Sequence, residues 1–161
     1  MRGGALPPAL LASALGFALA FAPRGAILPA VVVFAATALA AAQLKPDPHL
    51  ANVIFYLCWG SVVVTALSLH LPGGVRLWMA QVLAANAGLW AGLVIAVAGV
   101  PLDLAKALPW VLICLPAAWL ISRRFQIAIK VVASWLIAIA LLAAALPATT
   151  PTPGYVGDHM E

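Results

Sequence analysis

Four acid and histidine side chains could bind a metal ion if their segments came together. Asp47 and His49 lie in the polar break "KPDPHLAN", and Asp158 and His159 lie in the C-terminal tail "TTPTPGYVGDHME". Carboxylates and imidazoles suit a divalent transition metal, and the neighbouring Met160 adds a soft donor that copper accepts. The spacings match no known ligand motif, however, so a metal-handling role ranks third among three functional hypotheses.

A second group of polar side chains lies inside long apolar runs. Ser61, Thr65 and Ser68 recur at helical spacing and therefore share one helix face. Asn86 lies deep in the next apolar run, where an amide surrounded by lipid seeks a hydrogen-bond partner. These four residues are the candidates for a polar path along which a small solute would cross. No acid lies within any apolar run, which argues against an ion-driven carrier, because such carriers usually hold a carboxylate within the membrane.

Small residues repeat every four positions in the fourth apolar run. Ala84, Gly88, Gly92 and Ala96 form a stripe that contains the G-x-x-x-G match "GLWAG". Such stripes let two helix backbones approach closely, and the resulting van der Waals contact drives helix association in lipid. The stripe predicts close helix packing, either within the chain or against a second copy or another protein.

Motifs typical of catalysis or cofactor binding are missing. The sequence has no P-loop, H-E-x-x-H, G-x-S-x-G or G-x-G-x-x-G. Cys58 and Cys114 both lie in apolar runs and form no C-x-x-C pair. His70 is the one histidine in an apolar run, which excludes a haem held by two buried histidines of this chain. We therefore expect a non-catalytic protein without a bound cofactor.

The composition indicates that lipid surrounds most of the chain. Of 161 residues, 66% are hydrophobic and 7% are charged, against roughly 25% charged in soluble domains. Mean hydropathy is +1.14. The eight cations are scattered between apolar runs rather than clustered in a patch, which argues against nucleic-acid binding. The predicted partners are the lipid bilayer and either other membrane proteins or further copies of the chain.

Six apolar segments are long enough to cross a bilayer, which takes roughly 20 helical residues. They cover residues 5–22, 26–44, 52–71, 77–100, 104–121 and 126–146. Because backbone groups in lipid must be satisfied internally, we predict an all-α bundle of about six transmembrane helices over residues 1–146, followed by a polar tail, 147–161. Five helices are the alternative, if the first or fifth segment does not cross. The sequence "PRG" predicts a tight hairpin of the first two segments, and Pro116 predicts a kink in the fifth.

Lysine and arginine set the expected orientation. Three cations flank one set of segment ends, and five flank the other: Arg24, Arg76, Arg123, Arg124 and Lys130. Cytoplasmic loops carry the excess of positive charge, so the end with five cations is predicted to be cytoplasmic and both termini non-cytoplasmic. All four acids fall at the opposite end.

These features favour a multi-pass protein of a bacterial-type inner membrane that serves as a non-catalytic subunit or accessory factor of a larger membrane assembly. In that role the small-residue stripe would pack on neighbouring helices, and the tail would dock on a partner. The alternative is a small oligomeric transporter or channel for a small solute, with the four intramembrane polar residues lining its path. Metal handling at the acidic and histidine-bearing face is the third hypothesis.

Overall fold

The structure, a computed structural model, describes residues 6–149, and in this range the chain is helical with no β-strand. Short 3-10 segments, Pro48–Leu50 and Leu108–Ile113, precede α3 and join α5 to α6. The α-helices are α1 (Leu6–Ala20), α2 (Arg24–Ala42), α3 (Ala51–Ser68), α4 (Leu77–Ala98), α5 (Pro101–Ala107), α6 (Cys114–Ser122) and α7 (Gln126–Thr149). The predicted tail, apart from its first residues in α7, lies outside the described residues.

Within residues 6–149, five helical segments are long and apolar enough to cross a membrane. Four of them are α2, α3, α4 and α7, and the fifth is the continuous stack of α5, the second 3-10 segment and α6 over Leu102–Ser122. The predicted first span is shorter, because α1 has 15 residues and is therefore about 22 Å long. A bilayer core is about 30 Å thick. The all-helical class of the prediction is therefore confirmed, with five full-length segments and one shorter apolar helix.

The short helix α1 lies at the centre of the bundle. Leu11, Leu15 and Leu19 are fully buried, and so are the alanines between them. α1 contacts α3, α4, α6 and the 3-10 segment before α6. Because α1 is apolar on every side, it can pack on other helices through each of its faces.

The predicted tight hairpin of α1 and α2 is wrong in its packing, although the connection between the two helices is as short as expected. α2 packs mainly on α4 and shares few contacts with α1. Its buried residues recur every three or four positions: Ala26, Ala30, Phe34, Ala38 and Ala41. This stripe meets the glycines of α4, where the two backbones come closest. Close van der Waals contact is the main attraction between helices in lipid, so α2 pairs with the helix that it can approach most closely.

The fifth predicted span is irregular, as its prolines indicate. Pro116 has no N–H to donate and its ring crowds the carbonyl of Leu112. The chain takes 3-10 geometry over Leu108–Ile113, and regular α-helix resumes at Cys114. The distortion therefore lies in the turns that precede Pro116, as expected for a proline that disturbs the preceding turn.

The turn between α6 and α7 holds an arginine in a backbone conformation that favours glycine. Arg124 has φ +67°. Its N–H donates to the carbonyl of Ile121 at 3.0 Å, and the N–H of Phe125 donates to the carbonyl of Leu120 at 3.1 Å. These two bonds are the Schellman pattern, whose left-handed residue is usually glycine. An L-residue in this conformation costs roughly 1–2 kcal/mol.

We predict that Arg124→Gly stabilises the fold. Relief of the left-handed conformation exceeds the roughly 0.4–1 kcal/mol that glycine loses through its freer unfolded chain, so the free energy of unfolding should rise by up to about 1 kcal/mol. Arg123→Gly is the matched control, because Arg123 has φ −88° and no such strain to relieve. Reversible unfolding in detergent micelles measures both, and equal destabilisation by the two substitutions would refute the assignment of strain to Arg124.

Candidate functional site

A hydrogen-bonded polar cluster joins α3 to α4 inside the bundle. The side-chain amide of Asn86 donates from Nδ2 to Ser61 Oγ at 2.5 Å. The indole of Trp90 donates from Nε1 to Asn86 Oδ1 at 3.0 Å. Both ends of the Asn86 amide therefore have partners, one on its own helix and one on the neighbouring helix. This arrangement removes the cost of an unpaired amide in an apolar interior.

Thr65 and Ser68 lie on the same face of α3 as Ser61, about one and two turns further along the helix. All three side chains are buried. Ser68 Oγ donates to the backbone carbonyl of Thr65 at 2.6 Å. Thr65 is fully buried, and its hydroxyl has no hydrogen-bond partner among the described residues. The four residues predicted to line a polar path thus share one region of the bundle, where they lie among packed side chains.

Two glycines of the predicted packing stripe make the closest helix contact of α4. A Cβ atom added to Gly88 would lie 2.5 Å from the carbonyl oxygen of Phe34 and would overlap Thr37 Oγ1. One added to Gly92 would overlap the carbonyl oxygen of Ala38.

The other two members of the stripe differ in exposure. Ala84 is fully buried, and Ala96 is partly exposed. The two glycines therefore face α2 of the same chain, which leaves them unavailable to a second copy.

The two described acids at the acidic end of the bundle, Asp47 of the predicted metal site and Asp103, act as turn and helix caps. Asp47 Oδ1 accepts the backbone N–H of His49 at 2.9 Å. Asp103 Oδ2 accepts the backbone N–H of Val100 at 3.1 Å, and its other oxygen lies 3.7 Å from Lys106 Nζ. Within residues 6–149, no group of three or more potential ligands could hold a metal ion.

The rest of the predicted metal face lies in the tail. Asp158 and His159 fall outside the described residues. The proposed site of Asp47, His49, Asp158 and His159 therefore stays a prediction.

The opposite end of the bundle carries cations and two contacts that the sequence analysis missed. The Arg123 guanidinium lies 5.3 Å from the centroid of the Trp119 ring. His70 Nε2 lies 3.4 Å from Ser134 Oγ, which connects the end of α3 to α7. The first contact has an i, i+4 spacing that could have revealed it. The second joins residues 64 positions apart, for which the sequence holds no local signal.

An apolar groove of about 240 Å³ opens beside this cationic end. Its walls are Pro116, Ala117 and Leu120 of α6 and Ile129 and Val132 of α7, and Phe17 of α1 lies at its base. The groove brings α1 against two consecutive helices, α6 and α7, and the placement of the distant α1 has no local signal in the sequence.

The part of the chain that the structure describes is all-helical, and its five long apolar helices suit a membrane-spanning protein. Comparison with known protein families, with curated proteins and with solved structures found no match.

We predict that Gly88→Ala and Gly92→Ala each destabilise the fold by about 1–3 kcal/mol, because the added methyl group overpacks the contact with α2. Gly60→Ala is the matched control, since Gly60 lies in a helix with nothing within 4 Å of an added Cβ atom. The control should be neutral or stabilising by up to about 1 kcal/mol. Unfolding free energies in detergent measure all three, and a loss of stability in the control that equals the others would contradict the close-contact account.

We predict that Asn86 and Ser61 are energetically coupled. A double-mutant cycle of Asn86→Ala and Ser61→Ala should give a coupling of about 0.6 kcal/mol, within the range up to about 1.7 kcal/mol for hydrogen bonds between membrane helices. Ser122→Ala with Asn86→Ala is the control cycle, because Ser122 Oγ bonds to the Trp119 carbonyl of its own helix. Coupling of the same size in both cycles would show that Asn86 acts through general destabilisation.

Proposed function

We propose that the chain is a multi-pass protein of a bacterial-type inner membrane that acts as a subunit or accessory factor of a larger membrane assembly. The observation that carries this proposal is Trp135, which lies near the middle of α7 with 70% of its surface exposed. Its indole N–H has no acceptor among the described residues. A neighbouring membrane protein could supply that acceptor, whereas the hydrocarbon of lipid cannot.

The position of Trp135 distinguishes it from the tryptophans that anchor helices at the membrane surface. Anchoring tryptophans are enriched at the two membrane–water interfaces. Trp78 fits that pattern, as the second residue of α4, and it is 61% exposed. Trp135 instead falls near the centre of the apolar segment Gln126–Leu146. Buried tryptophans frequently dominate protein–protein contacts, which supports a partner helix at this position.

The exposed residues of α7 also support a contact with a partner protein on the outside of the bundle. α7 packs on the bundle through a narrow stripe of buried residues, Ile129, Ala133, Leu136 and Ala140. On its other side Ile127 and Leu142 are 77% and 63% exposed. These residues and Trp135 follow one another at helical spacing and form one apolar face. The centre of the bundle is filled by α1, so the surface open to a macromolecular partner lies on the outside.

The charge distribution supports the orientation in this proposal. Among the described residues the end with five cations has no acid, whereas Asp47 and Asp103 both lie at the other end. The positive-inside rule then places the cationic end in the cytoplasm and both termini on the other side. We keep the proposal of six membrane-crossing segments. Because α1 is surrounded by protein, its length need not match the thickness of the bilayer.

A small oligomeric transporter or channel is the second candidate, and one observation favours it. The unpartnered hydroxyl of Thr65 lies fully buried one turn from Ser61, next to the Asn86 cluster. A polar solute crossing this region would satisfy that hydroxyl. The measurement below separates the two candidates, since this one requires copies of the chain alone.

We predict that the protein, extracted in a mild detergent with an N-terminal tag, forms a fixed-ratio complex with other polypeptides in native mass spectrometry. Trp135→Leu should reduce the bound partner at least about tenfold, as loss of an interface anchor does. Trp78→Leu is the control, an equally exposed tryptophan at a helix end. A monomer, or a partner that Trp135→Leu leaves bound, contradicts the subunit proposal, and a homo-oligomer moves the assignment to transport.

A further inference from the structure

The two helices that form the apolar groove are neighbours in the chain but hardly touch each other. α6 ends at Ser122 and α7 begins at Gln126, so a short turn joins them. Beyond this turn both helices pack on other parts of the bundle, α6 on α1 and α7 mainly on α3. The wedge that remains between them is the groove of about 240 Å³, with Phe17 of α1 behind it. All of its wall residues have apolar side chains.

Two arginines lie in the turn that joins the two helices of the groove. Leu120 is a wall residue, and Arg123 and Arg124 follow it by three and four positions, just beyond the end of α6 at Ser122. Both Arg123 and Arg124 are exposed. Among the described residues neither is paired with a carboxylate, so both guanidinium groups are open to an anion.

The backbone conformation of Arg124 indicates that this residue has a role beyond forming the turn. Glycine would make the same Schellman turn without the left-handed strain that Arg124 carries at φ +67°. Strained residues persist where the surrounding structure and function maintain them. At Arg124 this conformation is occupied by a positively charged residue in the turn between the two groove helices.

We propose that the groove binds an acyl chain of an anionic phospholipid whose phosphate is held by Arg123 and Arg124. Lipid tails are as apolar as the groove walls, so the groove accepts any acyl chain and the charge of the headgroup decides which lipid stays. Guanidinium groups match phosphate oxygens with paired hydrogen bonds, and basic pockets at the ends of membrane helices recognise acidic headgroups.

A phospholipid fits both halves of this site, because it has an apolar tail for the groove and a phosphate for the arginines. A soluble phosphate would occupy the arginines and leave the groove to bulk lipid. The inference depends on the membrane-spanning placement proposed above and not on the subunit role. Lipid binding is measured on the tagged chain whether or not a partner is attached, so the two proposals fail separately.

The test is a lipid titration followed by native mass spectrometry, with phosphatidylglycerol and phosphatidylcholine of identical acyl chains. The wild-type protein should bind phosphatidylglycerol at least about tenfold more tightly than phosphatidylcholine. Arg123→Gln combined with Arg124→Gly should abolish this preference, because it removes both guanidinium groups and keeps the turn. Arg24→Gln combined with Arg76→Gln is the matched control, since it removes the same charge from the same end at the starts of α2 and α4. The control should keep the preference.

A second variant tests the groove independently of charge. Ala128 lines the groove and is exposed, so Ala128→Phe should fill the groove and lower phosphatidylglycerol binding at least about fivefold with both arginines present. It also keeps the proposal testable if the arginine variant does not fold. Equal binding of the two lipids by the wild type, equal loss in the Arg24 and Arg76 control, or unchanged binding by Ala128→Phe would each overturn the proposal.

Discussion

The burial of α1 at the centre of the bundle is the constraint on which the other helix positions depend. Its leucines at positions 11, 15 and 19 are fully enclosed, and α3, α4, α6 and the 3-10 segment before α6 surround it. Because α1 occupies the interior, α2 packs on the far side of α4 instead of along its chain neighbour. The same burial brings Phe17 behind the gap between α6 and α7, where it forms the base of the groove.

Some polar side chains have hydrogen-bond partners within the bundle, and others have none among the described residues. Asn86 donates to Ser61 and accepts from Trp90, so its side-chain amide connects α3 to α4. The hydroxyl of Thr65 and the indole N–H of Trp59 are buried without a partner among the described residues. In a protein interior an unpaired group of this kind costs about 1–3 kcal/mol. Such groups mark the interior positions where a bound polar molecule would be stabilised.

Charge at the two ends of the bundle has different consequences. At one end the carboxylates of Asp47 and Asp103 bond to backbone N–H groups at the starts of helical segments, which is a structural role. At the other end the arginines of the α6–α7 turn have no carboxylate partner among the described residues. Both side chains are exposed, so their charge is open to an anionic group.

The helical class, the approximate positions of the long segments and the close-packing role of Gly88 and Gly92 follow from local properties of the sequence. Apolar length, the need to satisfy backbone groups in lipid and the spacing of small residues all act within one segment, so they are readable without coordinates. Which helix packs on which surface is not determined by the local sequence. The pairing of α2 with α4 and the contact of Phe17 in α1 with the groove between α6 and α7 join segments that are not adjacent in the chain, and the bond from Asn86 to Ser61 joins residues 25 positions apart. They arise because one short helix fills the centre and the longer helices compete for the closest contacts around it.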